Sequence, residues 1–130
     1  MSTTATRLGE ISLVILPVSD QDRSIAFYVE ALGFENRTDV QFGGGQYRWV
    51  EVYPPSGTAG IALAPPPDGN VEARETGISL TTDDADAAHA QLLSRGVDVD
   101  AAVSRMGDPV PPMFWFRDPD GHSLVVVQSP

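Results

Sequence analysis

The sequence predicts an α+β domain in which two βαβββ modules, about residues 9–65 and 74–129, surround a shared cleft. Three observations carry that reading. The order strand, helix, strands occurs twice in 130 residues. Residues in matching roles recur at an offset of 64, placing Leu13 on Gly77, Asp20 on Asp84 and Tyr28 on Leu92. A single run, Pro65-Pro66-Pro67-Asp68-Gly69-Asn70, breaks all regular structure between the halves and reads as their linker.

Each element has its own local reason. Residues 1–8 are small and polar, and are expected to be frayed. The apolar, β-branched run Ile11 to Val18 reads as a buried strand. Ser19 and Asp20 offer caps to a helix running to about Leu32, with Ile25, Tyr28, Val29 and Leu32 as its apolar face and Gly33 as its stop. Phe34 to Phe42 and Tyr47 to Tyr53 form a hairpin about Gly43-Gly44-Gly45, which supplies the positive φ values of the turn. Ile61 to Ala64 closes the module. In the second half Gly77 to Thr82 is a strand, and Asp83 and Asp84 cap a helix whose apolar face is Ala85, Ala88, Leu92 and Leu93. Gly96 stops it. Val97 to Val103 is expected as a strand and Met106 to Pro112 as a loop. Met113 to Phe116 and Ser123 to Gln128 are strands joined by the tight turn Asp118-Pro119-Asp120-Gly121.

Composition excludes several functions. A chain of this length with 42% apolar residues builds one core without covalent help, and the absence of cysteine removes disulfides, thiolate metal sites and cysteine nucleophiles. A net charge of −10 repels phosphate backbones and anionic lipid surfaces, so neither nucleic acid nor membrane is an expected partner. Ile11 to Val18 is too short to span a bilayer, and Glu10 and Asp20 flank it without a small-residue cleavage site. A cytoplasmic location is the expectation.

Val18-Ser19-Asp20, Ser24-Ile25-Ala26-Phe27-Tyr28, Leu32-Gly33-Phe34 and Phe116-Arg117-Asp118-Pro119-Asp120-Gly121, set in this element order, resemble the vicinal oxygen chelate superfamily of glyoxalases, extradiol dioxygenases and bleomycin-resistance proteins. The resemblance covers about residues 9 to 128. It implies a fold more than a chemistry, because that scaffold hosts several reactions and non-enzymatic binders. Enzymes of the family usually hold a divalent metal through one inward residue on each of four strands. Carried over, those positions are Leu13, Ala62, Gly77 and Val125, none of which has a donor side chain. Shifting each by one residue brings in no better ligand, so no metal and no cofactor are expected. His89 and His122 are read as a helix-boundary and a turn residue, and Asp83, Asp84 and Asp86 as caps and a solvated helix start.

Strand alternation then gives the content of the cleft. Leu13 and Ile15 line it from the first strand, Ser79 and Thr81 from the second module, joined by Val125; Tyr47, Trp49 and Glu51 face it from the third strand, and Trp115 adds an aromatic wall. Such a pocket is apolar and aromatic, with few polar anchors. The alternatives are that Trp49 and Trp115 are packed core, and that Glu51 is the partner of Arg48, Arg117 or another arginine, or lies in solvent. Three functions fit: a metal-free binding protein for a small aromatic or apolar molecule; a metal-independent lyase or isomerase using Glu51 as base; or a dimeric interaction module. A metal-dependent glyoxalase or dioxygenase is disfavoured by the four positions. The repeat and the resemblance both imply a homodimer, since open half-sheets bury surface by pairing.

Overall fold

The computed structural model describes residues 6–130, so most of the stretch expected to be frayed lies outside the described residues. The chain folds as β1 (Leu13–Pro17), α1 (Gln21–Ala26) continued by a π-helical turn (Phe27–Ala31), β2 (Glu35–Phe42), β3 (Tyr47–Tyr53) and β4 (Gly60–Ala64). The second module follows as β5 (Glu75–Thr82), α2 (Ala85–Ser94), β6 (Asp98–Val99), β7 (Met113–Arg117) and β8 (Ser123–Gln128). Two four-stranded mixed sheets result, ordered β1-β4-β3-β2 and β5-β8-β7-β6. In each, the first and last strands of the module run parallel. This is the expected pair of βαβββ modules, and residues 65–74 between them hold neither helix nor strand. Among the described residues no helix is long and apolar enough to cross a membrane.

The two helices start alike. Asp20 accepts from the Arg23 N–H at 3.1 Å, and Asp84 accepts from the Ala87 N–H at 3.0 Å, each satisfying a donor that the first helical turn leaves without a backbone partner. They continue differently. The first helix widens into a π turn, closed by Leu32 N–H to Phe27 O at 3.2 Å, rather than running evenly to Leu32. The widening lets two adjacent rings serve the core: Phe27 packs edge-on to Tyr28 with centroids 5.2 Å apart and also approaches Phe116, while Tyr28 is fully buried.

Other expectations also require correction. Leu93 is not on the buried face of α2; it is 59% exposed, and the packed residues are Ala85, Leu92 and the half-buried Ala88. Val97 to Val103 is a strand only over Asp98–Val99. At Asp100 the ladder is only half kept: its N–H still donates to Trp115 O at 3.0 Å, but its carbonyl faces His89 Nε2 at 2.6 Å, and its carboxylate accepts from the Trp115 N–H and from Arg117.

The core lies on the helix-covered faces of both sheets. Leu16, Val50, Val52, Ile61 and Leu63 face it from the N-terminal sheet, and Phe114, Phe116, Leu124 and Val126 from the C-terminal sheet. Removing this apolar surface from water is the main stabilising term. A polar seam joins the modules. The Tyr28 hydroxyl donates to Asp118 at 2.9 Å, and burial together with that carboxylate drives its pKa far above the ordinary phenol value. His122, read from sequence as a turn residue, is fully buried, with Nε2 2.7 Å from Pro17 O. Asp118 also accepts from the N–H groups of Asp120 and His122, so one buried carboxylate shapes the tight turn and ties it to the π-helical turn that follows α1.

Candidate functional site

The faces turned away from the helices carry the functional candidates. In the N-terminal sheet the register sets Ile15 beside Ala62, Ala62 beside Glu51 and Glu51 beside Thr38, giving one row across all four strands. Val40 pairs with Trp49 and Phe42 with Tyr47 on the same face, where the Phe42 and Tyr47 rings stack at 5.2 Å. Ile15, Val40, Phe42 and Tyr47 are each half or more exposed in the single chain. So large an apolar face turned to solvent marks a surface for a ligand or a partner.

Glu51 sits at the centre of that face. Its Oε2 accepts from the indole Nε1–H of Trp49 at 2.6 Å, and its Oε1 accepts from the Tyr53 hydroxyl at 2.7 Å. Side chains two residues apart on a strand share a face, so a single seven-residue strand supplies both donors and the acceptor. Donation to this carboxylate raises the Tyr53 pKa above its ordinary value, opposed in part by the Arg37 guanidinium, which lies 4.6 Å above the Tyr53 ring. Arg37 is fixed in turn by the carbonyls of Pro54, Pro55 and Gly57. Neither arginine considered as a partner for Glu51 pairs with it: Arg48 binds Asp39 and Asp22, and Arg117 binds Asp98 and Asp100. Trp49 is half-buried on the open face, not core. Tyr53 and Arg37 went unread in the sequence, although the alternation that placed Tyr47, Trp49 and Glu51 extends directly to Tyr53.

The C-terminal sheet is open in the same sense. Ser79 pairs with Val125 and Val125 with Trp115, so these three expected residues share a row, and Thr81 pairs with Val127 on the same parity. The loop residues Asp108, Pro109, Pro111 and Pro112 stand over Ser79, Thr81 and Val127, enclosing a hollow of about 510 Å3. Trp49 and Glu51 are not among its walls. Within one chain the expected cleft residues therefore fall into two groups: Leu13, Ile15, Tyr47, Trp49 and Glu51 on one sheet, Ser79, Thr81, Trp115 and Val125 on the other. The two sheets share no ladder, and a crevice of about 620 Å3 lies between β5 and residues 56–61 leading into β4, with Val14 of β1 on its wall.

The residues at the four metal positions do not fit an ion. Leu13 lies two residues before the partner of Ala62 in unbroken register, whereas Gly77, two before the partner of Val125, lies within a register shift of β5 and at φ 71°. The side chains at the four positions are hydrocarbon or hydrogen. Among the described residues no three His, Asp or Glu side chains converge as a metal site would require.

Comparison with known proteins agrees with this architecture. Residues 9–126 match the model of the Glyoxalase/Bleomycin resistance protein/Dioxygenase superfamily. The crystal structure of TnmS3, an antibiotic binding protein from Streptomyces sp. CB03234, is 33% identical, with a TM-score of 0.79 over 97% of this chain and 100% of that one. A member of the same superfamily from Sphaerobacter thermophilus DSM 20745 is 34% identical, with a TM-score of 0.83 over 94% of this chain and 98% of its own. The uncharacterised protein YurT of Bacillus subtilis is 28% identical over 122 residues, covering 86% of this chain and 93% of that protein.

Proposed function

The chain belongs to the Glyoxalase/Bleomycin resistance protein/Dioxygenase superfamily, and from that premise we propose that it is a binding protein. Its ligand is a small planar aromatic molecule carrying a cationic or proton-donating group, held without a metal. The observation that carries this reading is the Glu51 carboxylate, clamped by Trp49 and Tyr53 in an exposed aromatic face. Aromatic rings supply stacking area, and the carboxylate has lone pairs left for a ligand N–H or O–H. The likeness to an antibiotic binding protein supports the binding of a small molecule.

A metal-independent lyase or isomerase with Glu51 as base is the weaker alternative. Its two oxygens are tied to donors of the same strand, an arrangement suited to fixing a carboxylate in place for recognition, and among the hydrogen bonds it makes no histidine or second carboxylate completes a proton relay.

The proposal includes a homodimer. The aromatic face of one copy and the Ser79/Thr81 face of its partner are both open in the single chain, and pairing them would enclose the ligand and bury the exposed side chains. The deciding experiment is fluorescence titration with aminoacridine, a planar cationic probe, before and after exhaustive dialysis against chelator. Quenching of tryptophan emission with unchanged affinity after dialysis is expected. Affinity that vanishes with chelator and returns with zinc or nickel would overturn the metal-free reading. Sedimentation as a strict 13.9 kDa monomer at micromolar concentration would overturn the dimer.

A further inference from the structure

A second hollow lies on the helix side of the C-terminal sheet, away from Glu51. Its volume is about 270 Å3, and it forms where α2 and the inner face of that sheet meet the Pro54–Pro55 loop of the N-terminal module. Leu80, Leu92, Phe116 and Val126 wall it from one module, and Phe34 and Pro54 from the other. A cavity of about 150 Å3 lined by such groups already accepts a benzene ring, so this one has room for a fused pair of rings.

Its polar side chains are Thr81, Thr82, Gln91 and Arg95, and the one charge among them is positive. Gln91 and Arg95, one helical turn apart at the end of α2, stand at the rim. Arg23, Arg37, Arg48, Arg105 and Arg117 are each neutralised by a carboxylate. Among the described residues Arg95, like Arg7 and Arg74, has no such partner, and of these three it alone lines this hollow, in a chain of net charge −10. Its Nη1 donates to Ala31 O at 2.8 Å, which anchors the guanidinium across the module junction and leaves its other N–H groups without a protein acceptor among the described residues. The Gln91 side-chain amide likewise has none. Unspent donors at the mouth of a hydrocarbon-lined hollow match a ligand that is apolar at one end and anionic at the other.

We propose that this hollow is a second binding site, for a small apolar monocarboxylate. The hydrocarbon body lies against Phe34, Leu80 and Phe116, and the carboxylate rests on Arg95 with Gln91 beside it. Its preference is opposite in sign to that of the Glu51 face, so the two sites take different molecules.

Naphthoate is the probe, with naphthalenemethanol as its uncharged counterpart, followed by amide chemical shifts. Naphthoate is expected to move the Ala88, Leu92 and Val126 amides and to bind at least ten-fold more tightly than the alcohol. Arg95→Gln, a change at an exposed side chain, should cost naphthoate about ten-fold while leaving the alcohol alone. Arg95→Lys should recover part of that loss, and the aminoacridine response at Trp49 should persist in both variants. Equal binding of acid and alcohol, naphthoate shifts confined to the Trp49 face, no binding up to the solubility limit, or an Arg95→Gln protein that binds naphthoate normally would each overturn the proposal. None of these results bears on whether aminoacridine binds at Glu51, so the two readings fail separately.

Discussion

Across the four strands of the N-terminal sheet the central open-face row reads Ile15, Ala62, Glu51 and Thr38; in the C-terminal sheet the matching row reads Ser79, Val125 and Trp115, with Asp100 beside them. On the covered face the correspondence is conservative. Leu16 matches Leu80, Val50 matches Phe114, Val52 matches Phe116 and Leu63 matches Val126, and every one is apolar. The open face keeps nothing of the kind. Trp49, Glu51 and Tyr53 stand where the second module has Met113, Trp115 and Arg117. The covered faces must fill the same space against a helix, so packing constrains them equally. The open faces face no such demand, and their side chains diverge: a carboxylate with two aromatic donors on one, an arginine paired with Asp98 and Asp100 on the other. The repeat therefore teaches where to look for function: at positions where two otherwise equivalent strands disagree.

That comparison can be broken most forcefully on the covered face. Phe116→Ala removes a fully buried ring and should cost about 3–5 kcal/mol in denaturant unfolding. A loss below about 1 kcal/mol would mean that the sheet is not held by this face. On the open face the effect should move from stability to binding. Trp49→Ala is expected to weaken aminoacridine about ten-fold, whereas Trp115→Phe, at the other sheet, should change affinity by no more than about two-fold. If Trp49→Ala unfolds the protein but spares affinity, Trp49 is structural and the asymmetry of the two faces fails.

A subtler effect is expected at Tyr53. Its phenol should titrate above the ordinary value of about 10, and Glu51→Gln should bring it down toward that value in an absorbance titration. The sign follows from the neutral phenol being favoured in the folded state. Its contribution to stability is whole below the unfolded pKa and is lost as pH rises through the higher folded one. A Tyr53 titration unmoved by Glu51→Gln would break the clamp. The smallest effect belongs to the hydroxyl face, where Ser79→Ala should alter affinity by about three-fold at most, since one solvent-shared hydrogen bond is worth about 1 kcal/mol or less. A larger loss would shift the chemistry to the C-terminal sheet.

Much of this is legible in the sequence. Period-two alternation assigns Trp49 and Glu51 to one face and Val50 and Val52 to the other because a strand has only two sides. Asp20 and Asp84 announce the helix starts because the first turn must find acceptors for its N–H groups nearby in sequence. The loss of donors at Leu13, Ala62, Gly77 and Val125 is likewise a property of residue types. The tertiary structure alone decided what depends on partners distant in the chain. Asp100 keeps only half of its ladder because His89, Trp115 and Arg117 converge on it. His122 becomes buried because Pro17, 105 residues away, offers a carbonyl. Arg95 acquires its place at the rim of a cavity because the other module supplies Ala31 and Pro54. Local pattern is written in neighbours along the chain, whereas a side chain's partners and exposure are set by whichever surface folding brings against it.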